Sequence, residues 1–237
     1  MTMPDHFETI YSQHAPRYDA LVSREDYRGH ILPALERIRP LKGLEVVEFG
    51  AGTGRLTRLL VPLVKSMRAF DVSRHMLLMA AETLKLLGDN WELAVGDNRH
   101  MPVDDNAADL TIAGWSLGHL TGWHPDRWRE EIGCALREML RIARPGGTVI
   151  ILETMGTGQE QPMPPTPALA AYYEVLETEY GFSYNWVRTD YRFESLAEAN
   201  SLTRFFFGDA LADRVLAEKL VILPECTGIW WKHLPSE

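Results

Sequence analysis

Short apolar runs alternate with stretches of helical periodicity through residues 44–152. The runs that predict strands are 44–49, 67–70, 91–95, 110–113 and 148–152. Between them, apolar residues recur every three or four positions, as they do at Leu56, Leu59 and Leu63. Strand–helix alternation of this kind builds βαβ units on a parallel sheet with helices on both faces. The sequence therefore predicts a doubly wound, Rossmann-like α/β fold.

Polar and aromatic side chains stand at the ends of these predicted strands. They are Glu48, Asp71, Asp97, Trp115 and Glu153. In an open α/β sheet, ligands bind outside the carboxyl ends of the strands, where the strand order reverses. We therefore expect the functional residues at this edge of the sheet.

The flanking segments are less regular. Ser23-Arg-Glu-Asp26 predicts a capping box ahead of a helix near residues 31–38, and Pro125 predicts the start of a later helix. Residues 154–167 contain four prolines and two glycines, which predicts a loop over the strand ends. Beyond it we expect helices over 168–180 and 196–219, and strands over 186–192 and 227–233.

The stretch Glu48-Phe-Gly50-Ala-Gly52-Thr-Gly54 lies between a predicted strand and a predicted helix. Its glycines allow a tight turn and close approach of a ligand to the backbone. The following helix presents free N–H groups. Dinucleotide-binding proteins use G-x-G-x-x-G, but here Arg55 occupies the position of the third glycine. This departure disfavours a nicotinamide-dependent oxidoreductase, which stays open as an alternative.

The same stretch resembles the cofactor motif of class I S-adenosylmethionine (SAM) methyltransferases. Further blocks similar to that family follow in order: Asp71-Val-Ser-Arg-His-Met76-Leu, Gly96-Asp97, Met101 to Leu110, and Leu136 to Gly147. The likeness covers about residues 40–155. It implies SAM-dependent methyl transfer by one domain: an N-terminal helical cover (1–40), a cofactor-binding core (41–155), and substrate-side helices and last strands (156–237). It also implies an antiparallel last strand and a C-terminal helical insertion.

The resemblance implies which residues bind the cofactor. Asp71 accepts hydrogen bonds from the ribose hydroxyls, Met76 packs on the adenine, and Asp97 meets the adenine amino group. The chemistry agrees, because SAM has no phosphate and its hydroxyl and amino donors suit carboxylates. The expected cofactor-binding set is Tyr11, Tyr18, Glu48, Gly50, Ala51, Gly52, Gly54, Asp71, Val72, Met76, Asp97, Asn98 and Trp115.

The opening segment contains a second similarity. Tyr11 to Asp19 reads Y-x-x-x-A-x-x-Y-D, which resembles a stretch ahead of the core in many small-molecule members of the family. By that resemblance the segment folds over the cofactor, with Tyr11 and Tyr18 near the sulfonium, where an aromatic face stabilises a cation. In the alternative interpretation both tyrosines only anchor an N-terminal helix. We also expect residues 1–22 to be mobile without ligand and ordered with it.

The acceptor side is marked by Trp115, His119, Trp123 and His124, which follow the fourth predicted strand. A histidine titrates near neutral pH, so His119 is the candidate general base. The alternative is that His119 is a hydrogen-bonded structural residue.

A metal site at His100, Asp104 and Asp105 is disfavoured, because adjacent aspartates point in different directions. We therefore expect no bound metal.

The composition limits the choice of partner. Acidic residues outnumber basic ones 33 to 24, for a formal charge of −9. Nucleic acids and anionic membranes select basic surfaces, so neither is expected as a partner. Two cysteines, a polar start and the lack of any ~20-residue apolar run predict a cytoplasmic protein without a membrane span.

The expected acceptor is a small molecule methylated at O, N or C. Its identity and the oligomeric state do not follow from the sequence. A non-catalytic SAM-binding or interaction protein also stays open.

Overall fold

The computed structural model describes residues 6–236, and two sheets organise them. The strands are β1 (Glu45–Phe49), β2 (Ser66–Asp71), β3 (Trp91–Val95), β4 (Ala108–Gly114), β5 (Ala143–Thr157), β6 (Ser183–Arg188), β7 (Tyr191–Arg192), β8 (Ile222–Leu223) and β9 (Glu225–His233). The helices are α1 (His6–Gln13), α2 (Ala15–Val22), α3 (Ile31–Ile38), α4 (Arg55–Leu60), α5 (Arg74–Leu84), α6 (His119–Trp123), α7 (Trp128–Ile142), α8 (Pro167–Thr178), α9 (Leu196–Phe207) and α10 (Asp209–Ala217).

The larger sheet has seven strands in the order β3-β2-β1-β4-β5-β9-β6. Strands β1 to β5 pair in parallel, whereas β9 runs antiparallel to both of its neighbours, β5 and β6. This confirms the predicted doubly wound fold and its antiparallel last strand. The strand order reverses at β1, which lies between β2 and β4, so a cleft is expected at its carboxyl end.

Both faces of the sheet are buried. Val46, Ile112 and Ile150 face the side covered by α3, α4 and α5. Their neighbours Val47 and Ile151 face the opposite side, which α7 and α8 cover. Burial on both faces explains why these strands are continuous apolar runs rather than alternating ones.

Strand β5 differs from its prediction at both ends. It begins at Ala143, ahead of the strand predicted from residue 148, and continues through Pro145-Gly146-Gly147. Gly146 adopts φ +73°, and the pairing with β4 shifts register at this point. The strand also extends to Thr157, so the first part of the expected loop over 154–167 is strand, where β9 pairs with it.

The predicted capping box at Ser23 is wrong. Ser23 follows the last residue of α2. Asp26 instead caps α3: its two carboxylate oxygens accept the backbone N–H groups of His30 at 2.7 Å and Ile31 at 3.0 Å. The sequence resembles a capping box here because Asp26 follows Ser23 at the spacing of that motif.

Three other predicted elements have different bounds. The helix expected from Pro125 begins at Trp128 as α7. The helix expected over 196–219 is divided at Gly208, where φ is +88°. The strand expected over 186–192 is two strands in different sheets, β6 and β7.

Candidate functional site

An open cavity of about 1080 Å³, a volume that includes solvent at its mouth, lies at the carboxyl ends of β1, β2 and β4. Every residue of the predicted site, His119 included, lines it except Gly54. Gly54 has φ +84° and begins α4, and a Cβ there would lie 3.1 Å from the Cβ of Ala80. Gly54 therefore allows α4 to pack against α5 and does not face the cavity.

The other two glycines of the loop face the cavity in different ways. Gly50 adopts φ +70°, and a Cβ there would clash with the side chain of Ser116 at 2.4 Å. Gly52 adopts φ +55°, and a Cβ there would project toward Met76 and Tyr18 at 3.8 and 4.0 Å. The space beside Gly52 is therefore open and bounded by these two side chains.

Asp71 ends β2 and fixes the glycine loop. One oxygen of its carboxylate accepts the N–H of Gly52 and the other accepts that of Ser73, both at 2.8 Å. Burial raises the pKa of Asp71, while these two hydrogen bonds oppose that rise. Each oxygen retains a second acceptor site for a hydroxyl in the cavity.

Asp97 follows β3 and is held by Arg99. Its Oδ1 accepts the Arg99 backbone N–H and Nε–H at 2.9 Å, and its Oδ2 accepts Nη2–H at 2.6 Å. These hydrogen bonds lower the pKa of Asp97. Arg99 also pairs with Glu131 on α7 at 2.7 Å. The Asp97 carboxylate is thereby ionised and oriented at the edge of the cavity.

Glu48 lies at the base of the cavity near the end of β1. It is buried, and its Oε2 accepts the hydroxyl of Thr57 at 2.6 Å. Burial raises the pKa of Glu48 to about 8. At neutral pH this side chain therefore retains its proton in the ligand-free protein.

The apolar part of the cavity wall comes from Val72 and Met76. Val72 is 62% exposed, which is unusual for a valine beside a cavity and leaves its side chain available to a ligand. Ser73 caps α5 by accepting the N–H of Met76 at 3.3 Å. This cap sets where α5 begins and so positions Met76 in the wall.

Helices α1 and α2 close one side of the cavity through aromatic contacts. The ring of Tyr11 lies 5.3 Å from the rings of both Tyr18 and His119. The Tyr11 hydroxyl and His119 Nε2 are 2.9 Å apart, and Ser73 Oγ donates to the Tyr11 carbonyl oxygen. Residues 1–5 of the predicted cover lie outside the described residues. Tyr11 and Tyr18 both line the cavity.

His119 is the first residue of α6, a short helix that the sequence did not reveal. Glu153 at the β5 end accepts the N–H of Gly118 at 2.8 Å, just ahead of His119. The His119 ring stacks on that of Trp123, with centroids 5.1 Å apart. Glu153 does not line the cavity; it is buried behind α6 and holds its first turn.

The cavity-lining residues that were not proposed from the sequence include Thr53, Arg55 and Arg99. Arg55 stacks on Trp115, with its guanidinium carbon 3.3 Å from the ring centroid. The position of Arg55 directly after the glycine stretch indicated that it would line the cavity, because the first residue of that helix lies beside the ligand-binding cavity.

Two kinds of feature are absent from the described residues 6–236, a metal-binding cluster and a membrane-spanning helix. No group of three or more His, Cys, Asp or Glu residues is arranged to hold a metal ion. No helix in this part of the chain is long and apolar enough to cross a bilayer.

Comparisons with known proteins agree with this geometry. Residues 47–151 match a family model described as a methyltransferase domain. The chain is 28% identical over 148 residues to malonyl-[acyl-carrier protein] O-methyltransferase of Yersinia pestis. The aligned segment covers 62% of this chain and 49% of that protein. The chain thus spans about half the length of this curated relative.

Two solved structures share the fold across nearly the whole chain. The [4+2]-cyclase SpnF has a TM-score of 0.65 at 18% identity and covers 100% of this chain and 99% of its own. Phosphoethanolamine N-methyltransferase 2 of Haemonchus contortus, solved with phosphomonomethylethanolamine and S-adenosylhomocysteine, has a TM-score of 0.64 at 14% identity and covers 99% of this chain and 62% of its own. The matched domain, the sheet order and the cavity together support a class I SAM-dependent methyltransferase domain that includes residues 47–151.

Proposed function

We propose that this protein transfers the methyl group of SAM to an O, N or C atom of a small-molecule acceptor. The observation that supports this most is the joint placement of Asp71 and Asp97. These carboxylates follow the adjacent strands β2 and β3 and line the same cavity as the glycine loop. No phosphate-binding pattern accompanies them, so the cavity suits a nucleoside rather than a dinucleotide.

The cavity residues fit SAM group by group. The free acceptor sites of Asp71 suit the two ribose hydroxyls, and Asp97 suits the adenine amino group. Val72 and Met76 offer an apolar wall for the adenine ring. Gly52 leaves open space for the methionyl end.

SAM supplies the methyl group as part of a sulfonium, and the reaction is an in-line displacement by the acceptor atom. The chain contributes orientation and exclusion of water. We propose that Tyr11 and Tyr18 stabilise the sulfonium and cover it. We propose that His119 accepts the proton of a hydroxyl acceptor.

Two observations support a small-molecule acceptor. The formal charge of −9 opposes binding to nucleic acid or to an anionic membrane. The cavity next to His119 is enclosed by aromatic side chains of α1, α2 and α6, which leaves room for a compact molecule. We propose a cytoplasmic metabolite on the basis of the sequence composition.

Titration calorimetry with SAM, S-adenosylhomocysteine and NAD tests the cofactor. We expect both sulfur-containing ligands to bind and NAD not to bind. Binding of NAD alone would favour the oxidoreductase. Incubation with labelled SAM and fractionated metabolites then tests the activity. SAM binding without any labelled product would favour a non-catalytic SAM-binding protein.

A further inference from the structure

A second cavity lies at the carboxyl end of β6. Its volume is about 560 Å³, solvent at its mouth included. Strand β6 runs in the same direction as β5, because both pair antiparallel with β9, so its carboxyl end lies at the same edge of the sheet as the proposed cofactor cavity. The described residues that line the second cavity, none of which lines the first, are Tyr27, Arg28, His30, Arg188 and Asp190.

Two chain segments form the walls of this second cavity: the loop between α2 and α3, and the turn between β6 and β7. The backbone N–H of Asp26 in the loop donates to the carbonyl oxygen of Thr189 in the turn at 3.1 Å. The side chain of His30 donates from Nδ1 to the carbonyl oxygen of Arg188 at 2.7 Å, which leaves Nε2 as the second polar atom of the ring. The two walls are therefore held together without a ligand.

Arg188 is oriented by Asp190, the carboxylate in the cavity wall. Its Nε and Nη2 donate to the two carboxylate oxygens at 2.8 and 3.0 Å, and its Nη1 reaches the carbonyl oxygen of Glu160 only at 3.4 Å. A guanidinium carries five N–H donors, so two remain for a ligand. The Asp190 side chain is thereby neutralised, and Arg188 is fixed in direction.

Arg28 supplies donors from the opposite wall. Its Nε donates to the hydroxyl of Tyr27 at 2.8 Å, and its guanidinium carbon lies 5.3 Å from the centroid of that ring. Within residues 6–236 no carboxylate pairs with Arg28, so its four Nη hydrogens and its charge are available to an anion. The backbone N–H groups at the start of α3 are not available, because Asp26 caps them. The donors for a ligand are therefore side chains.

We propose that this second cavity binds a phosphate group. A carboxylate is satisfied by one bidentate guanidinium, which would leave the arginine on the other wall without a partner. A phosphate has more oxygens and more charge, so it accepts from Arg28 and Arg188 at the same time. His30 Nε2 is a third polar atom in the wall for one of its oxygens.

The site is separate from methyl transfer and does not depend on the proposed function. No residue of its wall lines the proposed cofactor cavity, so a phosphate binds while that cavity is occupied. Two sources share this chemistry, free phosphate and the phosphate of a small metabolite.

A titration of the ¹⁵N-labelled protein with inorganic phosphate, at an ionic strength held constant with sodium chloride, tests the site. We expect saturable shifts of the backbone amide signals of residues 27–30 and 188–190. Acetate, a planar anion, should bind at least about 10-fold more weakly, because it cannot bridge both arginines. The affinity for phosphate should change less than about 3-fold when S-adenosylhomocysteine is present, because the two cavities are separate.

Arg28→Gln is the decisive variant, because Arg28 is exposed and its replacement leaves the fold intact. It should weaken phosphate binding about 10-fold or more, as the loss of a charged hydrogen bond does. The matched control is Arg37→Gln, which removes an exposed arginine of α3 outside both cavities and should change the affinity less than about 2-fold. The double variant Arg188→Gln with Asp190→Asn removes the second arginine without leaving its carboxylate unpaired, and should weaken binding as much as Arg28→Gln does.

Glycerol 3-phosphate distinguishes the two sources. Tighter binding than that of inorganic phosphate would indicate a phosphorylated metabolite, and equal or weaker binding would indicate the free ion. The proposal is overturned by shifts that do not saturate, or by equal phosphate affinity in Arg28→Gln and the wild type. Shifts centred on residues 50–54 that disappear with S-adenosylhomocysteine would also overturn it, because the phosphate would then occupy the cofactor cavity.

Discussion

The carboxylate of Asp71 accepts a hydrogen bond from the glycine loop and also forms part of the proposed ribose site. Its replacement by Ala should weaken binding of S-adenosylhomocysteine by roughly 1–3 kcal/mol, because buried hydroxyls of the ligand lose their acceptor. The fold should remain, since the sheet does not depend on this carboxylate. Calorimetry measures the affinity, and circular dichroism checks the fold.

The Asp71→Asn variant is the matched control for charge. Its amide oxygen accepts from one of the Gly52 and Ser73 N–H groups, while its NH₂ group faces the other. We expect an affinity no better than that of the Ala variant. Wild-type affinity in both variants would place the ribose elsewhere.

His119 carries the prediction about catalysis. General bases typically contribute about 10²–10⁴-fold, so His119→Ala should lower the methylation rate at neutral pH by about that factor while SAM affinity barely changes. The Tyr11→Phe variant removes only the hydroxyl that lies 2.9 Å from His119 Nε2 and keeps the imidazole. It should therefore retain more activity than His119→Ala.

A His119→Ala variant with nearly full activity would show that orientation alone drives the reaction. Loss of SAM binding in that variant would instead make His119 structural, through its contacts with Tyr11 and Trp123. Single-turnover rates with an identified acceptor, measured at saturating SAM, distinguish these outcomes.

At the scale of single residues, the sequence predicts the positions of some functional side chains better than those of others. Asp71 and Asp97 could be placed because a residue at the end of a parallel strand has only one edge of the sheet to occupy. The directions of the Arg55 and Arg99 side chains could not be predicted, because long side chains take their direction from distant partners. Trp115 and Glu25 direct the first, and Glu131 directs the second.

At the scale of elements, buried strands were predictable and short or interrupted elements were not. Strands β1 and β4 are mostly buried runs covered on both faces, and that pattern has few other solutions. Helix α6 has only five residues, too few for a periodic pattern. It exists because Glu153, distant in sequence, accepts the N–H of Gly118.

The cover formed by α1 and α2 gives a prediction about dynamics. It contacts the core through the Tyr11–His119 hydrogen bond and the Asp19–Arg58 pair, and Leu21 of α2 is buried in a hydrophobic cluster with residues of α9 and α10. S-adenosylhomocysteine should slow amide exchange around Tyr11 and Tyr18, because a ligand below the cover adds contacts. Mass-spectrometric exchange with and without ligand measures this. Equal exchange in both states would leave the tyrosines as anchors of a permanently docked helix pair.

At the scale of the whole molecule, three buried glutamates lie near the ligand-binding edge of the sheet. Glu48 is the last residue but one of β1, Glu153 lies within β5, and Glu225 begins β9. Burial raises the pKa of each to about 8, although each also accepts hydrogen bonds that lower it. All three carboxyl groups therefore lie where water is scarce, and of the three Glu48 lines the cavity.

These glutamates make the stability of the fold depend on pH. In the unfolded chain a glutamate releases its proton near pH 4.3, whereas in the folded chain these three hold theirs to about pH 8. Between those values the folded state binds more protons than the unfolded state, so the free energy of unfolding falls as pH rises. The melting temperature should therefore be lower at pH 9 than at pH 6, by at least the 2–4 °C that about 1 kcal/mol produces in a chain of this size. Glu153→Gln, which mimics the protonated acid, should reduce this difference in calorimetric scans. A melting temperature equal at both pH values in the wild type would mean that these carboxyls are ionised in the folded state.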